Sequence, residues 1–499
     1  MTTNFSSVDW RPIHHNLKRM ILTITIVLLL LFLWLPKPAF AFDTGHHSDV
    51  TREALQNEGF KETPIKIVQV ENWLVDYYSN QILTPEVKKE SEKLHFDNLF
   101  TTEDISNYWT WLTLNTKEAV KQAVTKEDPL NLLTILGISL HGVQDFYSHS
   151  NWVEEHSSSS DGNSYSSATW FDSPRDTTSQ LKLYTGAYPP ELDKEKKPHG
   201  KYKDGMNKDS YVRDNWEQAY VSAYAASRQW VNAVHEWVKE VNPDFWSQVQ
   251  NYTADETALD KDLKAAYDIS LYVKVSGEDG HWKGNGSGNK TYFGAKITDW
   301  LRTKDSPFVE EFKKLDSSLR PLVEGLKSDG SQINPPPTTP DSKLTVPQIP
   351  LNQRAIIVKT ERVENVKDSS WIAKKLGADS AFYGKIEVNG QTFIEAVQRN
   401  KAKISPAWTT IKFVPSETDF EVPIVYELWD QNLTSKDDTH FDISNKNNGN
   451  LDFKFAVSSH ENTGDITGIH DSPEKAVTSE GSAKNSAKIT FYVTERSLK

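Results

Sequence analysis

Three side chains with metal-binding chemistry recur at a fixed interval in Leu140-His141-Gly142-Val143-Gln144-Asp145-Phe146-Tyr147-Ser148-His149-Ser150-Asn151-Trp152. His141, Asp145 and His149 stand at i, i+4 and i+8. At 100° per helical residue they fall within a sector of about 80° on one face. Imidazole nitrogens and carboxylate oxygens in that sector suit zinc, which takes N and O donors. Burying such groups without partners is costly, and the preceding run of Leu132, Leu133, Ile135, Leu136, Ile138 and Leu140 is apolar enough to bury them. More donors stand upstream: His46 and His47 in Phe42-Asp43-Thr44-Gly45-His46-His47, Asp76 in Trp73-Leu74-Val75-Asp76-Tyr77-Tyr78, and His95 in Leu94-His95-Phe96-Asp97-Asn98.

A helix must carry the central trio. Asp128-Pro129 marks its start, a capping carboxylate followed by proline at the first helical position. The apolar band that follows is too wide for a surface helix and predicts one buried among others. Tyr220, Ala223, Tyr224, Ser227, Val231, Val234 and Val238 keep helical spacing within a second long helix from Tyr211 to Val241. Thr51–Asn57, Ile65–Tyr78, Asp104–Val124, Ala258–Ser270 and Pro307–Leu326 read as further helices, with a short hairpin at Leu271–Val275 and Thr291–Ala295. The expectation is a bundle of about eight helices, interrupted by a long polar loop from Ser157 to Lys203.

At Asn334 the composition changes, and prolines 335, 336, 337, 340, 347 and 350 form a stiff linker. Beyond it, Ala355–Lys359, Ala381–Val388, Gln391–Glu395, Thr409–Val414, Phe420–Trp429, Asp452–Val457 and Lys488–Val493 are short β-branched or aromatic runs separated by turn residues. That spacing predicts an antiparallel β-sandwich. The fold class is therefore multidomain: a mainly α-helical bundle followed by an antiparallel sandwich. The expected organisation is a signal peptide over 1–41, the helical region over 42–333, the linker over 334–350 and the sandwich over 351–499.

The start of the chain supports export. Arg11, Lys18 and Arg19 precede an uncharged, largely apolar run from Met20 to Leu35, and Ala39-Phe40-Ala41 follows. This is the layout of a secretory leader. Its 16 residues fall short of the roughly 20 that span a bilayer comfortably, although retention as an anchor is the alternative. Cleavage after Ala41 would make Phe42 the first residue. The 499 residues contain no cysteine, which excludes disulfide scaffolds and thiol chemistry, and the net charge is −13. That charge argues against a nucleic-acid coat, because phosphate binding needs a basic surface. Gly284-Asn285-Gly286-Ser287-Gly288-Asn289-Lys290-Thr291 echoes a phosphate loop, but Asn289 occupies the second glycine's place.

The run from Gly137 to Glu154, together with Leu94-His95-Phe96-Asp97-Asn98 and an early histidine, resembles the HET-C (heterokaryon incompatibility) group, which is similar to the zinc-dependent phospholipase C and single-strand nuclease fold. The resemblance covers roughly residues 42–300. It implies two or three zinc ions held by the Phe42 amine and carbonyl, His47 (or His46), Asp76, His95, His141 and Asp145. Asp145 would bridge two ions, His149 would begin the remaining ion's ligands, and Asp76 and Asp145 would be the carboxylates of the catalytic site. Two departures stand out. His149 follows Asp145 by four residues where the phospholipases have six. The pair that completes one zinc there has no clear counterpart, and Asp209, Glu217, His199 and His281 are the candidates. Two metals are the safer expectation.

The second half resembles a C2 domain, the calcium-dependent lipid-binding sandwich, over roughly residues 351–460. The residues that carry this are Asp379-Ser380-Ala381-Phe382-Tyr383, Pro406-Ala407-Trp408, Trp429-Asp430 and Asp437-Asp438-Thr439-His440-Phe441-Asp442. Calcium takes six to eight oxygens, and the resemblance implies Asp368, Asp379, Asp430, Asp438 and Asp442 as suppliers. Asn432 stands where a further acid is expected. Together these readings give an exported, zinc-dependent hydrolase of phospholipid phosphodiesters, with membrane phospholipid as its partner. One alternative is a non-enzymatic lytic protein in which metal is structural. The other is a nuclease, which the sandwich disfavours.

Overall fold

The central helix forms where its start signal places it. The structure is a computed structural model that describes residues 44–79, 94–156, 164–172, 181–187, 206–209, 211, 213–257, 259–260, 263, 351–365, 381–395, 398–399, 403–416, 420–430, 438–446, 449–483 and 485–499. Its helices are α1 (Thr44–Asn57), α2 (Glu62–Ser79), α3 (Thr102–Thr125), α4 (Pro129–His149), α5 (Trp152–His156), α6 (Trp216–Lys239) and α7 (Phe245–Gln250). Asp128 caps α4 by accepting from the Asn131 amide at 3.0 Å, and every residue from Leu132 to His149 is buried. The expected width of its apolar band is explained by its neighbours: α2, α3 and α6 pack around it. α3 starts on a capping box between Thr101 and Asp104. The leader, Phe42, the linker, Pro307–Leu326 and the expected hairpin lie outside the described residues, as does nearly all of Ala258–Ser270.

α1 begins seven residues before the expected Thr51 and so takes in His46 and His47. Gly45 and the paired histidines are poor local helix formers, and tertiary contacts supply what propensity lacks. The His46 ring sits 4.8 Å from Trp216, with Tyr211 and Tyr220 close by.

The strands are β1 (Ser164–Tyr165), β2 (Gln353–Asn365), β3 (Ala381–Val388), β4 (Gln391–Ile394), β5 (Gln398–Arg399), β6 (Lys403–Ile404) and β7 (Trp408–Pro415). They continue with β8 (Glu421–Asp430), β9 (Thr439–Phe441), β10 (Leu451–Ala456), β11 (Glu461–Gly464), β12 (Gly468–Ile469), β13 (Val477–Glu480) and β14 (Ala487–Leu498). One sheet runs β1-β14-β2-β6, with β13 on β14 and β7 on β2. The other runs β12-β11-β10-β8-β3-β4, with β5 on β3 and β9 on β8. Among these described strands all pairings are antiparallel except β1 with β14, which joins the loop after α5 to the sandwich. An N-terminal helical region and a C-terminal antiparallel β region are thus both present.

Ala39–Lys499 forms one compact unit, and β2 shows how. Strand side chains alternate between faces: Ile356 and Val358 enter the sandwich core, while Ala355 and Ile357 join the core of the helices. From β7, Phe413 stacks on Tyr224 of α6 at 3.7 Å. Beside it, Glu53 of α1 accepts from the Phe413 amide at 2.9 Å and pairs with Lys412 at 3.2 Å, all buried. No helix among the described residues is long and apolar enough to cross a membrane.

Candidate metal centre

Four segments converge on Asp145. α1 brings His47, α2 Asp76, the 94–98 segment His95, and α4 His141 and Asp145 itself; all five are at most 1% exposed. Two glycines on α4 permit the approach. A Cβ on Gly137 would lie 2.6 Å from Glu71 Cβ and 2.8 Å from the Val68 carbonyl oxygen, so α2 closes in only because that atom is missing. On Gly142 it would meet the Leu94 carbonyl oxygen at 3.1 Å, one residue from His95.

Asp145 presents one oxygen to each side. His47 Nε2 lies 3.1 Å from Oδ1, while His95 Nδ1 and His141 Nε2 lie 2.9 Å and 3.1 Å from Oδ2. His141 Nε2 and His95 Nδ1 are 3.0 Å apart, and Asp76 Oδ1 stands 3.9 Å and 3.8 Å from His95 and His141. Two metal-ligand groups result, His47–His141–Asp145 and Asp76–His95–His141, each with donor atoms within 4.8 Å of one another. Zinc bonds of about 2.0–2.1 Å at a tetrahedral angle hold donor atoms about 3.3 Å apart, close to these spacings. The set fits zinc: imidazoles and carboxylates converge in a dry interior.

The charges agree. Burial works against a charged His47, but Asp145 and Asp76 outweigh it and raise its pKa; the same balance raises His95. His141 goes the other way, down to about 3, through burial and the neighbouring His47 and His95. Asp145 is held well below the ordinary carboxylate range, since His141, His149 and His47 outweigh its burial. Asp145 and His141 thus stand in the protonation states that metal binding needs, whereas His47 and His95 would each give up a proton as a metal ion enters.

His149 stands apart. Nδ1 lies 2.6 Å from the His95 carbonyl oxygen and 3.4 Å from Asp97 Oδ1, and Nε2 lies 3.3 Å from Asp209 Oδ1. It belongs to neither ligand group. Eight residues along a helix is about 12 Å of rise, so a shared face does not bring it to His141; it holds the backbone of His95 instead. Of the residues suggested to complete a further metal, Asp209 faces His149, Glu217 bonds Tyr165 and Lys359, and His199 and His281 lie outside the described residues.

The sandwich acids divide. Asp368 and Asp379 lie outside the described residues. Asp430 and Asp438 stand close together where β8 pairs with β9, and Asp438 accepts from the Tyr383 hydroxyl at 2.9 Å. Asp442 is engaged elsewhere: its oxygens accept from the amides of Ser444, Ser482 and Ala483 at 3.1, 2.9 and 2.8 Å, fixing the approach to β14. Asp442 thus differs from Asp438 in being held by backbone donors.

Behind the histidines lies a layer the sequence reading passed over: Asn72, Gln144, Thr51 and Ser227, buried on α2, α4, α1 and α6. The signal was present in the chain as amides on otherwise apolar helical faces, Asn72 one turn before Asp76 and Gln144 one turn after His141's neighbour Leu140.

Comparison with known proteins adds a family match over part of the helical region. The model of the VWA7 N-terminal domain matches residues 51–166, well under half of the chain and including Asp76, His95, His141 and Asp145. That model, rather than one of the HET-C group, is the match. No curated protein matches the chain. Among solved structures, human GIVD cytosolic phospholipase A2 is 7% identical at a TM-score of 0.20, covering 30% of this chain and 17% of that one. A C2 domain of plant extended synaptotagmin 1 is 12% identical at 0.20, over 29% of this chain and 95% of the domain. Alpha toxin from Clostridium absonum is 12% identical at 0.16, over 81% of this chain and all of the toxin. The chain spans under a fifth of the length of the phospholipase A2 structures.

Proposed function

We propose that this chain is an exported, metal-dependent hydrolase of phosphodiester bonds in phospholipids. The observation that carries the reading is the convergence of His47, His95 and His141 on the two oxygens of Asp145, with Asp76 alongside. Zinc held there supplies Lewis acidity and lowers the pKa of water to near 7. The residues do the rest. His141 is common to both ligand groups, Asp145 turns one oxygen to His47 and the other to His95 and His141, Asp76 and His95 complete one group, and His47 with the Phe42 amine of a processed chain would serve the other. Phospholipid is the substrate class because the second half resembles a lipid-binding sandwich, whose calcium ligands we take to be Asp379, Asp430 and Asp438.

A second reading rests on burial. Every ligand side chain is at most 1% exposed, as befits a metal that holds the helices while the protein disrupts membranes without chemistry. Elemental analysis and a head-group release assay on purified protein separate the two. The hydrolase reading expects zinc in the wild type, with Asp145→Ala losing both zinc and release while still binding vesicles. Vesicle leakage without released head group in wild type, lost together with the metal in Asp145→Ala, would establish the second reading. Wild-type protein purified without chelators and free of transition metal would refute both.

A further inference from the structure

The four buried polar side chains behind the histidines form a closed relay. Gln144 Oε1 lies 2.6 Å from His47 Nδ1 and accepts from Asn72 Nδ2 at 3.1 Å. Gln144 Nε2 donates to Thr51 Oγ1 at 3.0 Å and Ser227 Oγ at 3.2 Å. Asn72 Nδ2 also donates to Thr51 Oγ1 at 3.1 Å, and Asn72 Oδ1 lies 3.2 Å from His141 Nδ1. All four side chains are fully buried apart from the ligands they back, one from each of four helices.

The two amides are coupled: turning either one alone would set NH2 against NH2 or oxygen against oxygen. In the observed arrangement Thr51 Oγ1 accepts from both amides, and an amide oxygen, which only accepts, faces Nδ1 of His47 and of His141, so both Nδ1 atoms carry hydrogen. Nε2 of each ring is then the atom left facing Asp145. We infer that Gln144 and Asn72 are positioning residues that lock His47 and His141 into the tautomer with Nε2 turned to the metal, and that Thr51 and Ser227 hold the two amides in register. The inference rests on the metal reading above and adds to it what sets the ligand atoms. Partners of this kind on the far nitrogen of a metal-binding histidine are worth 10–100-fold in affinity.

The test compares zinc affinity by competition with a chromophoric chelator in wild type, Gln144→Leu, Gln144→Glu and Thr51→Val, alongside histidine 15N spectra. Gln144→Leu removes the acceptor and should weaken zinc about 10–100-fold. Gln144→Glu keeps an acceptor for His47, and the hydroxyls of Thr51 and Ser227 can rotate to donate to it, so affinity should return to within about threefold of wild type. A purely packing role would not distinguish leucine from glutamate in this way. Thr51→Val touches neither histidine and serves if Gln144→Leu fails to fold; it should give a smaller loss in the same direction. Zinc-loaded wild type should show Nε2 bound and Nδ1 protonated in both rings. Binding through Nδ1, or equal affinity in Gln144→Leu and wild type, or Gln144→Glu as weak as Gln144→Leu, overturns the inference. If wild type takes up no zinc, the metal reading fails, and the metal-free spectrum decides the tautomer: Nδ1–H in both rings supports it, a bare Nδ1 in either overturns it.

Discussion

Replacing Gly137 with alanine tests whether close helix approach is what builds the centre. The added Cβ would stand 2.6 Å from Glu71 Cβ and 2.8 Å from the Val68 carbonyl oxygen, so α2 would have to retreat about 0.8 Å to reach ordinary contact at 3.4 Å. The obstacle is backbone and cannot rotate away, which puts the cost near the upper end of the roughly 1–3 kcal/mol typical of overpacking. Alanine in place of glycine returns about 1 kcal/mol of helix propensity. The net loss should be about 2 kcal/mol, or roughly 4–8 °C in melting temperature for a cooperative unit of 150–250 residues. Asp76 rides on α2 and His141 sits one turn after Gly137, so their separation would open by more than the ±0.2 Å or so that a metal site tolerates. Calorimetry on the metal-free protein and zinc titration on the loaded protein read the two effects separately. The matched control is Gly142→Ala, whose 3.1 Å contact is with the 94–98 segment. A non-helical segment gives more easily, so stability should change by less than about 1 kcal/mol while zinc binding weakens through His95. A Gly137→Ala protein that melts with wild type and keeps full zinc would refute the reasoning.

Two further outcomes follow from burial. His149 is held charged, because Asp97, Asp145 and Asp209 outweigh its burial and raise its pKa well above the usual value. The stability it contributes is complete below the unfolded value of about 6.5 and is lost as pH rises through the folded one. The melting temperature of metal-free wild type should therefore fall above pH 6.5, and that of His149→Gln should fall less; Asp209, pushed up to about 6 by burial, titrates below this window. At the seam, Lys412→Met should cost about 3–5 kcal/mol by stranding the buried Glu53 carboxylate, and Glu53→Gln added to it should recover most of that, as chemical denaturation would show.

Much of this was legible along the chain. Asp128-Pro129 set the start of α4, and β3, β4, β7, β8 and β10 lie within a residue or so of the runs that predicted them. Asp76, His95, His141 and Asp145, each carried by a local signal, stand close together in the fold. The misses have common causes. Angular position on a helix says nothing about rise: His149 shares a face with His141 but stands with Asp97 and Asp209, Asp209 being one of the residues offered for a further ion. α1 was started late because Gly45, His46 and His47 become helical through contacts with Trp216 and Gln144 that only the fold supplies. Asp442 carries the same carboxyl group as Asp438, and which of them meets backbone amides depends on a loop 40 residues away.

The pairing of Tyr165 with Leu498 has a consequence for how the protein is made. The loop after α5 docks on a strand synthesised 333 residues later, which at about 5–20 residues per second is a wait of roughly 17–67 s. For more than half of that interval the nascent helices lack the wall that Ala355, Ile357 and Phe413 provide, and α1 lacks the lysine opposite Glu53. Their apolar flank is open to chaperones, to aggregation and to premature capture of metal. Truncations that stop short of β14 should therefore leave a sticky, incompletely closed helical region rather than a trimmed but functional one.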